Sequence, residues 1–258
     1  MEHVIVPFRD RPDIDEERWE QIVPPVWPEF MMHDTVANEH WHRLSTDFLD
    51  FQFYVMDPDT DEVLCQGNTV PFAWDGEPAS LPDGINGILP LAVRQHEDGI
   101  APTTLCALQA VVTKGNQGRG LAKVVLDTMR GLARGAGFGD LVAPVRASWK
   151  HRFPLISMEA YRGWLTDEGL PFDPWYRTHI RAGGTFLQVC PGSMHIPGSV
   201  AEWSAWTNME FPGSGDYIVD GGLVPLHIDL EADRGLYIEP NQWIRHPLLP
   251  RHEGGSHG

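Results

Sequence analysis

The chain is short of positive charge. Lysine occurs three times in 258 residues, at Lys114, Lys123 and Lys150, and Lys and Arg total 19 against 36 Asp and Glu, a formal net charge of −17. A surface of that sign repels phosphate backbones, which argues against a nucleic-acid partner. It suits solubility and mildly favours cationic small molecules such as amines. Cysteine is also scarce: Cys65, Cys106 and Cys190, with no CxxC spacing. An odd number at irregular spacing gives neither a secreted disulfide framework nor a zinc site, and all three read as small buried hydrophobes. No apolar run approaches the length that spans a bilayer. The opening MEHVIVPFRDRP has no basic segment followed by an apolar one, as a secretory signal would. A cytoplasmic protein with no membrane partner is therefore expected. There is no internal repeat and no long polar linker, and 42% of residues are apolar. That is enough for one sizeable core, so residues 1–258 are expected to form one domain carrying insertions near 75–102, 147–172 and 190–222.

What is present is a mixture of strand and helix patterns. Val4 to Phe8 reads as a first strand. Asp13 to Ile22 has helical spacing, with acidic residues in its first turn, and Pro24, Pro25 and Pro28 end it. A second helix is expected over Asn38–Leu49. Phe51–Met56 and Glu62–Trp74 read as a hairpin about the turn at Pro58–Asp61. Residues 75–102 are rich in Gly and Pro, with a short helix expected near Leu89–Gln95. Thr104–Thr113 (TLCALQAVVT) is nearly all apolar, as in a strand buried on both faces. Leu121–Arg134 is the clearest helix: Leu121, Val125, Met129 and Leu132 make one face, and Lys123, Asp127, Arg130 and Arg134 the other. Leu141–Val145 is the next strand, and Pro144 requires it to lack a ladder partner on one side near its end. Short helices follow at Ser157–Leu165 and Pro174–Ala182, then a strand at Thr185–Val189. An excursion bearing Trp203 and Trp206 leads to an alternating final strand at Val224–Leu230. The tail RHEGGSHG reads as disordered.

One stretch carries chemistry. Between the apolar strand and the amphipathic helix lies KGNQGRGLA, which holds or borders two of the three lysines together with Arg119. A helix start offers backbone N–H groups without intrahelical partners at the positive end of the dipole, and glycines let an anion come close. A phosphate site is implied. The P-loop requires GK followed by Ser or Thr, whereas Gly120 is followed by Leu121 and Ala122. The dinucleotide pattern would need a third glycine where Lys123 stands. Gln117-Gly118-Arg119-Gly120-Leu121-Ala122 does resemble the (Q/R)xxGx(G/A) pyrophosphate motif of the GCN5-related N-acetyltransferase (GNAT) superfamily. The order of elements along residues 4–230 is similar to that family's, most closely over 104–146.

That resemblance implies a mixed α+β fold: a central twisted sheet whose fourth and fifth strands splay apart around a thioester. It implies acetyl-CoA or another acyl-CoA as co-substrate, without a metal, and a small-molecule amine as acceptor. Val111, Val112 and Thr113 would meet the pantetheine arm through main-chain groups. Gln117, Gly118, Arg119, Gly120, Leu121, Ala122 and Lys123 would hold the diphosphate. Many relatives carry a Tyr four residues before a Gly, beside the departing thiolate. Here that position is His179, with Tyr176 one turn earlier, so either is a candidate proton donor. The fourth strand offers no carboxylate base; Gln109 is its one strongly polar interior residue. Glu159, Asp173 and Glu210 are the candidate bases, or the amine loses its proton to water. The pair His40 and His42 diverges on a helix, so no metal site is expected there. A catalytically silent CoA-binding module is the alternative function, and a homodimer is left open.

Overall fold

Alternating apolar and β-branched residues place the first half of the chain in a meander. The computed structural model describes residues 2–14 and 16–248; the RHEGGSHG tail lies outside them. β1 (Val4–Pro7), β2 (Gln52–Met56), β3 (Val63–Phe72) and β4 (Thr104–Val112) pair antiparallel in sequence order. β5 (Asp140–Val145) then joins β4 in parallel. Beyond it the sheet continues through β9 (Arg234–Pro247), β8 (Leu226–Asp229) and β7 (Gly215–Tyr217). β6 (Thr185–Gly198) pairs with the other edge of β9. The sheet is mixed and mostly antiparallel, in the α+β class expected.

Two helices cover opposite faces of its centre. Leu105 and Cys106 are successive strand residues and so point to opposite sides. Cys106, Val70, Phe72 and Val142 pack with Ile85, Ile88, Leu89, Ala92 and Val93 of α4 (Gly84–Glu97). Leu105, Phe53, Val55 and Leu141 pack with Leu121, Val125, Leu126 and Met129 of α5 (Leu121–Gly135). Each such buried side chain contributes roughly 2 kcal/mol. The helix expected near 89–95 is thus longer, running from Gly84 to Glu97, and carries one side of the core. α1 (Glu16–Ile22) lies near its expected place. The helix expected over 38–49 is two short ones, α2 (Thr35–His40) and α3 (Arg43–Thr46). The first starts early because the Asp34 carboxylate caps it, accepting from Ala37 N at 2.8 Å. A tightened turn, Leu44 N to Trp41 O, separates the two.

The second half departs most from expectation. α6 (Met158–Arg162) and α7 (Pro174–Arg181) stand where the pattern puts them. β6 is far longer than Thr185–Val189, and the Trp-bearing segment holds α8 (Val200–Thr207), capped by Ser199 and Glu202 in a reciprocal box. The alternating strand at 224–230 is not the last. β9 follows it, joining β5 and β6 at the middle of the sheet. It escapes a reading of periodicity because Glu239, Asn241, Gln242 and His246 are buried polar residues, with prolines at 240 and 247 between and after them. No helix among the described residues is long and apolar enough to cross a membrane.

Candidate active site

The site begins where β4 and β5 part. Only Thr104–Cys106 pair with Asp140–Val142. Beyond Cys106 and Val142 each strand keeps a partner on its outer side alone, β3 for β4 and β9 for β5. β4 is therefore not buried on both faces throughout: Ala107–Ala110 and Val112 are half-buried where they border the split. Pro144, which donates no hydrogen bond, stands on the diverging part of β5 and pairs with Trp243. A bulge accompanies the divergence: Thr69 opposes Ala107 and Asn68 opposes Gln109, leaving Leu108 between.

β4 then delivers the chain to the glycine loop. Val111 is buried against Tyr54, Met56 and Ile22, Val112 packs towards α5, and Thr113 is tied to Leu64 O through both its N–H and its hydroxyl. Gln117, Gly118, Arg119 and Gly120 are exposed, and α5 starts at Leu121. Gly118 and Gly120 sit at φ +78° and +79°, where a side chain is strained, and a Cβ on either would meet no atom within 4 Å. Backbone conformation, rather than internal crowding, calls for glycine, and the concavity stays open to a ligand. Asn116 is buried beneath it. Its amide nitrogen donates to Glu62 Oε1 at 2.8 Å and Thr113 Oγ1 at 2.9 Å, and its oxygen accepts from Arg119 at 2.9 Å. Asn116 braces the loop, a role the motif alone does not reveal. Lys123 is exposed on the first turn of α5 and pairs with Asp127 one turn on. The residues read as the anion site, Gln117 to Lys123, thus lie together in an exposed loop and the first turn of α5, where β4 leaves the split. The loop fits a diphosphate: N–H groups at a helix head, no obstructing side chain, and cations at its rim.

The other nominated residues fall in three places. Tyr176 is buried in the cluster of Ala143 and Val145, the β5 residues beside the split, together with Ala107 of β4. Its hydroxyl lies 3.3 Å from Met158 Sδ, and burial, with Asp173 nearby, holds its pKa well above that of a free phenol. His179 is one turn on and fully buried. Its Nδ1 lies 2.9 Å from His246 Nε2, and its Nε2 has no partner among the described residues. Burial first, then the second imidazole, pushes the His179 pKa well below 6.5, and burial is the main cause that brings His246 down to about 4. At neutral pH the ring is neutral, so the protonated form that would best donate to a thiolate is disfavoured at His179. Burial is the larger cause, and the second, His246, lies 67 residues away along the chain. Glu210 is exposed in the loop between α8 and β7, and Glu159 is exposed on α6. Asp173 is committed to structure: it caps α7 through Trp175 N and Tyr176 N, and accepts from Trp149 N and Tyr161 Oη.

Two sets of polar residues on or next to the central strands were missed in the sequence. Arg146, just past β5, donates through Nε to both oxygens of fully buried Glu239 at 2.9 and 3.0 Å. The Tyr237 hydroxyl adds a bond of 2.8 Å to that carboxylate. On β3, Gln66 and Asn68 are buried at alternate positions, with buried Thr69 beside them, in a strand whose other side chains are apolar. That alternation is the signal that would have found them. Among the described residues no group of three or more His, Cys, Asp or Glu is placed to hold a metal.

A split between parallel strands, with an N–H cradle at its open end, defines an acyltransferase-like architecture. Comparison with known proteins agrees. No family model matches the chain. The arginine N-acetyltransferase avaD of Aspergillus versicolor is 30% identical over 268 aligned residues, which cover 92% of this chain and 91% of that protein. Two solved structures share the fold at 14% identity. The loading GNATL domain of CurA from Lyngbya majuscula has a TM-score of 0.58 and covers 96% of this chain and 98% of its own. The GphF GNAT-like decarboxylase, in complex with isobutyryl-CoA, has a TM-score of 0.51 and covers 96% and 100%. The chain belongs to the GNAT superfamily and is an N-acyltransferase.

Proposed function

We propose that this chain transfers an acyl group, acetyl in the first place, from acyl-CoA directly to a small amine. Arginine is the first acceptor to try, since the relative sharing most of its length with this chain is named for that substrate. The observation that carries the reading is the open glycine cradle at the head of α5, set beside the divergence of β4 from β5. The diphosphate would rest on the N–H groups of 117–122, with Lys114, Arg119 and Lys123 offsetting its charge. The pantetheine arm would follow the unpaired edge of β4 past Val112. The amine nitrogen attacks the thioester carbonyl, the C–S bond breaks, and the thiolate takes a proton while the amine gives one up.

Tyr176 is our assignment for the thiolate's proton donor. It keeps its proton at any physiological pH and packs against the β5 side of the split. His179 then positions α7 through His246. Glu210 lies outside this arrangement, and water takes the amine's proton. The silent-module alternative draws no support from a relative named as an enzyme.

The test is thiol release from acetyl-CoA by the whole chain on adding amines, with arginine first. Acceptor-dependent release supports the proposal; CoA binding without release from any amine would overturn it. Tyr176→Phe is expected to lower kcat at least tenfold with CoA affinity unchanged, and His179→Ala to lower turnover less than Tyr176→Phe does.

A further inference from the structure

From β4, which borders the split, a row of amide side chains runs back across β3 to β2, and its bonding runs in one direction. Gln52, Asn68 and Gln109 face one another across β2, β3 and β4 in register. Gln66 stands two residues before Asn68 on the same strand and so shares its face. Gln52 Nε2 donates to two backbone carbonyls, Phe48 O at 2.8 Å and Thr69 O at 2.7 Å. Its oxygen is thereby left to accept from Asn68 Nδ2 at 3.1 Å. Asn68 Oδ1 in turn accepts from Gln66 Nε2 at 2.8 Å. The two carbonyls decide every amide orientation in the chain, because reversing Gln52 would set its oxygen against both. The chain ends on Gln66 Oε1. That oxygen is buried, and the residue is 1% exposed. It has no hydrogen-bond partner among the described residues, and the same is true of Gln109 Oε1.

Two buried acceptors without donors in one small area are costly to a fold unless something supplies the donors. The head of an aligned amide chain is also a strengthened acceptor, polarised by the bonds behind it. Gln109 is half-buried on the strand that borders the split, so the area adjoins the proposed path of the acyl group. Neither oxygen can be served by a carboxylate or a phosphate, which bring no proton. Both suit a group rich in N–H and lacking acceptors, as ammonium and guanidinium are.

We infer that Gln66 Oε1 and Gln109 Oε1 together receive the cationic N–H-donor group of the acyl acceptor. The inference rests on the N-acyltransferase reading of the site and adds the acceptor's chemical class and its recognition residues. Uncharged amides hold the cation by hydrogen bonds without a fixed counter-charge, so the acceptor is recognised by its donors, and an acceptor lacking them is excluded.

The test is calorimetric titration of the CoA-saturated whole chain with arginine, lysine and norleucine, on wild type, Gln109→Leu and Gln66→Leu. Wild type is expected to bind arginine or lysine at least tenfold more tightly than norleucine, and the stronger of the two tells guanidinium from ammonium. Each variant is expected to lose at least tenfold in that affinity, with the KM for acetyl-CoA within twofold of wild type. Gln109 Oε1 has no partner among the described residues, so Gln109→Leu is expected to keep or raise Tm while it loses acceptor. A merely structural glutamine would not separate the two. Cation affinity within twofold of wild type in Gln109→Leu would mean that water serves these oxygens, and would overturn the inference. So would equal binding of norleucine. Failure to bind CoA at all would instead sink the loop assignment, and arginine and lysine titrated into the CoA-free chain would still test the amide row.

Discussion

Two histidines and one glycine show how far single residues set this protein's behaviour. His179 and His246 are buried, share one hydrogen bond, and have pKa values moved down by burial. Above pH 6.5 both are neutral whether the chain is folded or not, and titration adds nothing to stability. Below it the unfolded chain binds protons that the folded one refuses. Stability therefore falls as pH drops from 6.5 towards about 4, where His246 takes up its proton in the fold. The slope for each histidine is about 1.4 kcal/mol per pH unit. Urea unfolding at pH 7, 6 and 5 is expected to show this loss, and His246→Phe to make the slope shallower. An unchanged slope would place His246 in solvent. Gly120 gives the complementary case. Its φ of +79° makes Gly120→Ala cost about 1 kcal/mol in stability. With no protein atom within 4 Å of the new Cβ, that cost is expected to come from backbone strain alone, and urea unfolding of the variant checks it.

At the scale of elements, the sequence was most legible where one face is apolar and the turn residues are local. α5, β2, β3 and β5 fall within a residue or two of their expected bounds, because their periods are carried by their own side chains. The glycine loop proposed as the anion cradle was legible for the same reason: its glycines, cations and helix start are contiguous. β9 was not, because its buried polar residues are satisfied from afar. Glu239 depends on Arg146, and His246 on His179. The amide row was also hidden, since it needs the register of three strands. Only Gln109 stood out, as the polar exception in an apolar run. Two element-level outcomes follow. A Cβ at Gly235 would lie 2.1 Å from Trp203 Cδ1, so Gly235→Ala is expected to lower stability by about 2 kcal/mol, by pushing α8 off β9. Glu239→Ala would leave Arg146 without its carboxylate beside the split and is expected to cost about 3–5 kcal/mol. Denaturant midpoints check both, and a change under 1 kcal/mol in either would contradict the packing described.

The whole molecule is an acidic chain that keeps a few cations for one end of one strand pair. A net charge of −17 repels an anionic cofactor at long range, so binding must be won at short range. Two of the three lysines, Lys114 and Lys123, together with Arg119, stand at the cradle; the third, Lys150, is buried and donates to Leu223 O and Phe153 O. The sheet supplies the rest, since β4 and β5 pair for three residues and then diverge, leaving a main-chain edge beside the loop. Titration of coenzyme A into the wild-type chain and into Gly120→Glu, with circular dichroism confirming that both are folded, tests this account most directly. One site is expected in wild type and at least a hundredfold weaker binding in the variant, whose carboxylate would stand against the diphosphate. Equal affinity in the two proteins would show that the loop before α5 is not where the coenzyme is held.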